Sequence, residues 1–451
     1  ANAAQATAWG NQTNANAVQA TAFGNSSTAS AAQSTAFGNS STASATNATA
    51  LGDTTTASGV DSMSWGKNTF ARDNDATAFG ESCDAKAVRS TAFGKSTIAR
   101  GINNTVFGDT NDISGVTNTA WGTNNNIDTD SSFSTVFGIN NSLVNGRNVK
   151  VMSENSTVNA VRNTLVDGSG HTVTNVKEAI IAGLSNEIVN SDNNLVGGTN
   201  NKCFENNSLI VGDTNINQSG HNFIIGGSGN SSTNFGGNGL LVGLNNSCQK
   251  LNSSALGQDN TTIGENNMVW GKSNTMTEVE AENTAWGLSN TCNGGRATAW
   301  GTGNIVAHNN ATVFGVSNEV TNKQGLGFGE QNKSTGVNAT VFGLSNESTG
   351  AQSTAFGNFT LANSNNATAF GISSEATFAQ ATAFGKNTKA SRNQATAFGE
   401  NSYASKVNST AFGLNTDSSA VQSTAFGENS KAYGGNSTAF GLNSTAMELQ
   451  S

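Results

Sequence analysis

Few residues in this chain of 451 have side chains that could do chemistry beyond hydrogen bonding: four cysteines, three histidines and 30 acidic groups. Cys203, Cys248 and Cys292 each stand five residues after a recurring glycine (198, 243, 287), and Cys83 stands apart. If each recurrence is one layer of a stack with strands roughly 4.8 Å apart, neighbouring members of the three lie about 14 Å apart, too far for a disulfide. The same position elsewhere holds mostly Ala, Ile, Val, Leu or Ser, so cysteine reads there as a small hydrophobe. His171, His221 and His308 have no Cys or acidic residue recurring beside them at ligand spacing. The Gly-x-Gly matches around Gly226–Gly237 precede no helix that could receive a phosphate. No serine has a His and an Asp at one fixed phase. These residues predict no enzyme, no metal and no cofactor.

What positions every one of them is a repeat. Residues 366–402 read Asn-Ala-Thr-Ala-Phe-Gly, then nine residues, then Ala-Thr-Ala-Phe-Gly, and so on. The glycine recurs every fourteen residues from Gly10 to Gly122 and from Gly287 to Gly441, with steps of fourteen to seventeen between. A short fixed period is the mark of a solenoid. It predicts an all-β, single-domain parallel β-solenoid of about 31 coils over residues 1–451, roughly 150 Å long at strand spacing. Three sub-blocks divide it: aromatic coils in 1–140, irregular aliphatic coils in 141–272, and aromatic coils in 273–451.

Composition fits an ordered polar rod. Only 11% of residues are charged and none is proline, while the apolar positions are periodic, which disordered tracts are not. A net charge of −9 spread over the chain predicts no nucleic-acid partner, and no apolar run is long enough for membrane insertion.

Within a coil, Ser34-Thr35-Ala36-Phe37-Gly38 alternates as a strand does, and so does Thr42-Ala43-Ser44-Ala45. Gly followed by Asn, Ser or Asp supplies the turn. Period two leaves the inward face open. Where the aromatic before the glycine shrinks, residues elsewhere in the coil grow, which suggests one shared lumen. On that reasoning the aromatic ladder is the expected core: Trp9, Phe23, Phe37, Trp65, Phe79, Phe93, Phe107, Trp121 and Phe137, then Trp270, Trp286, Trp300, Phe314, Phe328, Phe342, Phe356, Phe370, Phe384, Phe398, Phe412, Phe426 and Phe440. Asp167 falls in this row and has no place in a lumen. The opposite face, alanine in the aromatic blocks, becomes Val151, Val166, Ile181, Val196, Ile210, Ile224 and Leu241 in the middle, an expected outer ladder and candidate oligomer interface.

Asparagine stacks as well. Asn125, Asn141, Asn186, Asn201, Asn246, Asn274, Asn290, Asn304, Asn318 and Asn346 lie three after the glycine, where each amide can bond the copies above and below. Acidic residues keep no coil phase, against a calcium solenoid. Sequons at Asn47, Asn310, Asn338, Asn366 and Asn408 follow from composition in a chain this rich in Asn, Ser and Thr.

The unit Asn366-Ala367-Thr368-Ala369-Phe370-Gly371, with residues 310–315 and 338–343, resembles the Asn-Ser-Val-Ala-Ile-Gly repeat of the YadA-like head in trimeric autotransporter adhesins. The resemblance runs over nearly the whole chain. It implies a left-handed β-roll, a trimer and an adhesive role at the cell surface or outside the cell, with no particular binding residues carried over. Phe or Trp stands where the family has Ile, and neither a stalk nor barrel strands follow the last coil, which ends at Ser451. The expected function is a secreted, non-enzymatic adhesive rod whose partners are copies of itself, with surface glycans or matrix protein as candidate ligands. The alternatives are a filament subunit stacking end to end and an ice-binding solenoid using the row Thr7, Thr21 and Thr35.

Overall fold

The computed structural model describes the chain apart from residues 145–149, 155–156, 160–164, 170–171, 175–177, 190–192, 205–206, 219–222, 234–237, 251, 278–281 and 448–451. The contacts divide it into two units, residues 1–229 and 230–451. Both are built the same way, from parallel coils that each contribute a longer first strand and a short second one. Unit 1 holds sixteen first strands, from Thr7–Trp9 to Phe223–Ser228, and unit 2 fifteen, from Gly239–Leu244 to Thr438–Phe440.

Within each unit successive first strands pair in parallel, and in most coils like sits on like. In unit 1 Thr21, Ala22 and Phe23 lie on Thr35, Ala36 and Phe37. In unit 2 Thr368, Ala369 and Phe370 lie on Thr382, Ala383 and Phe384. The second strands stack likewise, as at Thr28-Ala29 on Thr42-Ala43.

Two corners per coil take left-handed backbone. One is two after the glycine (Ser26, φ 60; Asn387, φ 54) and the other nine after it (Gln33, φ 59; Asn366, φ 55). Ser, Asn and Gln recur there, and Asn tolerates that region best among residues with a Cβ. The glycine itself is required by its neighbour in the stack: a Cβ on Gly371 would lie 1.9 Å from the carbonyl oxygen of Gly385.

The lumen is lined by four positions per coil. Ala20, Ala22, Ser27 and Ala29 show the pattern, all fully buried. Most fourteen-residue coils fill these positions with alanine and serine, and a few admit wider pairs such as Val106 with Ile113 and Val313 with Val320. This corrects the expected core. The aromatic ladder, from Trp9 to Phe137 and from Trp270 to Phe440, lies on the outer face, and the alanines two before each glycine fill the lumen. The expected outer ladder is inverted with it: Val151, Ile181, Val196, Ile210 and Leu241 are fully buried. Val166 pairs with Val151, and its side chain lies outside the described residues.

The middle coils of unit 1 show why the volume argument chose the wrong side. Their second strands are three residues long (Thr157–Asn159, Thr172–Thr174, Glu187–Val189) where most others have two. The coil widens, and Ile181 and Ile188 are both buried in it. The shrinkage before the glycine (Ala182, Gly197) is balanced by growth two residues earlier, at Ile180 and Leu195, and all four positions share the outer face. Exchange happened along one face, and the lumen grew on its own account.

One coil is also shifted by a residue from expectation. Gly212 pairs with Gly227, so Ile210 sits on Ile225 and Leu209 on Ile224. Ile225 is buried and Ile224 is 46% exposed, because a slip of one residue moves every side chain of a strand to its other face.

Candidate interaction face

Row by row, the outer face of the first strand is a half-buried Thr, then the aromatic ring, then a residue just past the glycine. The rings are exposed to a similar degree along both ladders: Phe37 50%, Trp121 48%, Trp300 47%, Phe370 37%. Asp167 is exposed in the same row, beside Met152, and so ceases to be an anomaly.

The rings stack on one another. From Phe342 to Phe440 successive centroids are 4.6–5.0 Å apart with planes 3–5° from parallel. Trp270, Trp286 and Trp300 form a shorter stack at 4.8 and 4.7 Å. Each ring therefore covers its neighbour's face and turns its edge outward. A sugar binds an aromatic by lying on the ring face, and those faces are taken. What remains is a ridge of apolar edges, a surface suited to another apolar surface.

The second sheet differs in kind. Its outward row in unit 2 includes Glu319, Lys333 and Glu347, paired in turn across coils, then Glu375, Lys389 and Tyr403. Lys389 Nζ lies 2.7 Å from Glu375. Both groups are well exposed, so the pair adds at most about 1 kcal/mol, but the row marks a surface made for water.

Inside, the asparagine row is continuous through several coils. Asn304 is fully buried; its Nδ2 donates to Asn290 Oδ1 (3.0 Å), to the Trp300 carbonyl (3.1 Å) and to the Gly315 carbonyl (2.8 Å), while its backbone N–H donates to Asn290 Oδ1 (3.1 Å). The stacking expected from sequence is thus present, and it serves the lumen. It also includes Asn111, Asn215, Asn230, Asn260 and Asn332, which the same count from the glycine could have found.

Cys83, Cys203, Cys248 and Cys292 are buried and form no disulfide. Burial pushes Cys248 and Cys292 up to about 12, against a weaker opposing hydrogen bond in each case. They are structural fillers of the lumen. Among the described residues no group of three or more His, Cys, Asp and Glu is placed to hold a metal; His171 and His221 lie outside them. Nor, among the described residues, is any helix long and apolar enough to cross a membrane. The sequon residues Asn47, Asn310, Asn338, Asn366 and Asn408 all occupy exposed left-handed corners.

The model of the YadA head domain repeat matches residues 1–27, 29–55, 334–360, 362–388, 390–416 and 418–444. These segments are similar to the YadA head repeat. They form an adhesin-like β-solenoid, and the matches fall on aromatic coils at both ends. Among curated proteins none matches the chain. In the YadA-like repeats the residue before the glycine is the exposed ring, so the departure from the family's isoleucine bears directly on the outer face.

Proposed function

We propose that this chain is a non-enzymatic adhesive or structural protein of the cell surface or extracellular space, which assembles with copies of itself through the aromatic face of its coils and presents its polar faces for attachment. The observation that carries the reading is the edge-on ladder of rings, exposed on a chain with YadA-like repeats. The thirteen rings from Trp270 to Phe440 expose roughly 80 Å² each if about two-fifths of an aromatic surface is open. That makes on the order of 1,000 Å², above the roughly 800 Å² per partner of a stable complex. A second copy supplies the same ridge by symmetry. The ladder first expected in the lumen is thus proposed as the interface, in place of Val151 to Leu241.

Light scattering tests the assembly: the native chain should weigh a multiple of 45.9 kDa, and the variant F356D/F384D/F412D should be monomeric at unchanged strand content. A monomeric native chain contradicts the assembly. Beads coated with each protein, presented to matrix proteins and surface glycans, then test attachment, which should follow the assembled form.

Ice binding gains one observation, since Thr21 and Thr35 stand half-buried on the outer face. The rings of Phe23 and Phe37 rise beside them, so the threonines do not form the open flat plane that a lattice would meet.

A further inference from the structure

The outer face of unit 2 carries a second pattern, beside the rings, that a uniform seam does not need. The residue just past the glycine shares the rings' face. After Leu244, Gln258 and Lys272 it reads Leu288, Val316, Leu344 and Ile372 at every second coil, with Thr302, Glu330, Asn358 and Lys386 between them. The aliphatic members are 37–49% exposed, so no packing within the chain calls for them. At Lys386 and Glu400, which pair at 2.9 Å, two polar coils follow in succession. The alternation then resumes in the opposite phase with Leu414, Glu428 and Leu442.

We infer that this row is a register code for self-association, matching a second copy of this chain over the whole row only in parallel and coil for coil. The inference rests on the assembly proposed above. A ladder of like rings repeating every 4.6–5.0 Å is nearly indifferent to sliding: a slip of one coil along thirteen rings loses one contact at the end. Repetitive surfaces with this freedom stagger and aggregate. The second row removes it. In register, Leu344 meets the same height on its partner, while charged residues at the alternate heights reach water at the rim. A slip of one coil sets each aliphatic residue against Thr, Glu, Asn or Lys and strands it there. A slip of two coils would restore a strict alternation, but the broken phase sets Ile372 against Glu400 and Leu414 against Lys386. An antiparallel pair centred on the row meets the same break, with Leu344 against Lys386 and Asn358 against Ile372. Specificity here is a penalty placed on the wrong alignments.

The test exchanges the code without touching the rings. In the full chain, Val316→Glu, Glu330→Val, Leu344→Asn and Asn358→Leu leave composition and aromatic ladder unchanged. The variant and the native chain are co-expressed, one isotopically marked, and the oligomers counted by native mass spectrometry. Native chains marked and unmarked should mix statistically, while oligomers mixing native with exchanged chains should be depleted by about tenfold or more, the ratio that about 1.4 kcal/mol carries. Statistical mixing of native with exchanged chains overturns the code and leaves the assembly standing. A native chain that is monomeric overturns the assembly itself. If the fourfold exchange does not assemble, V316E with E330V alone should show the same depletion in milder form, and its statistical mixing counts against the code equally.

Discussion

Two sets of coils in this molecule fill the lumen of one backbone design differently. In the coils around Phe370 and Phe384 the lumen holds Ala369, Ala376, Ala381 and Ala383, and the large side chains stand outside as rings. In the coils around Ile181 and Ile210 large side chains stand inside as well, with Ile188 opposite Ile181, while Ile180, Leu195 and Ile224 are exposed on the outer face. The Ile pair of Ile181 and Ile188 in place of an Ala pair withdraws about six more carbons from water, worth about 5 kcal/mol in that coil at 0.8 per carbon. The coil of Ile181 and Ile188 therefore carries more core of its own. The aromatic coils keep most of theirs on a face that only another surface can cover. Coil length alone does not decide between them, since the fourteen-residue coils of Phe107 and Phe314 bury Val106 with Ile113 and Val313 with Val320.

The comparison can be broken at several points. The largest effect should come from emptying the aliphatic lumen: Ile181→Ala should cost about 2–5 kcal/mol in denaturant unfolding. Filling the alanine lumen should cost slightly less, with Ala383→Leu destabilising by about 1–3 kcal/mol because the strands must part to admit it. If Ala383→Leu were neutral, the alanine lumen would have spare room inside. Cutting the amide row at Asn304→Ala leaves the Gly315 carbonyl and a neighbouring amide without their buried partner, at about 1–3 kcal/mol. Smallest at neutral pH is the cysteine effect. Burial holds the Cys248 and Cys292 thiols neutral to about pH 12, while an unfolded thiol ionises near 9.0. Protons are bound more tightly in the folded chain, so these thiols leave stability flat below about pH 9. Above it stability falls, by roughly 1.4 kcal/mol per pH unit per thiol. Replacing both by alanine should flatten that limb, and the native thiols should resist a disulfide reagent until the chain is unfolded.

Much of this was legible in the residues. The fourteen-residue period gave the coils, the glycine column gave their register, and the count of three from the glycine found the asparagine row. Cysteines at the fifth position were rightly read as lumen residues. The side that faces inward was not legible, for a definite reason. A strand alternates with period two, so Ala369 and Phe370 are equivalent candidates until the width of the coil is known, and width depends on how two corners close. The volume exchange between Ala182 and Ile180 looked like packing across a lumen because the sequence does not show that both sit on one outer face. Ile224 was misplaced by a shorter route: Gly226 and Gly227 are adjacent, either could have been the column glycine, and the choice flips the strand. The exposed position of Asp167 and the second-coil alternation at Leu288, Val316 and Leu344 became readable only once the outward face was known.

The central claim is that aromatic coils depend on a covering copy and aliphatic coils do not. Amide hydrogen exchange along the full chain, followed on serial dilution, tests it directly. The account predicts that strands from Thr354–Asn358 to Thr410–Leu414 lose protection as the protein is diluted, while Ile180–Leu184 and Leu195–Thr199 keep theirs. Protection that is independent of concentration in both sets would contradict it.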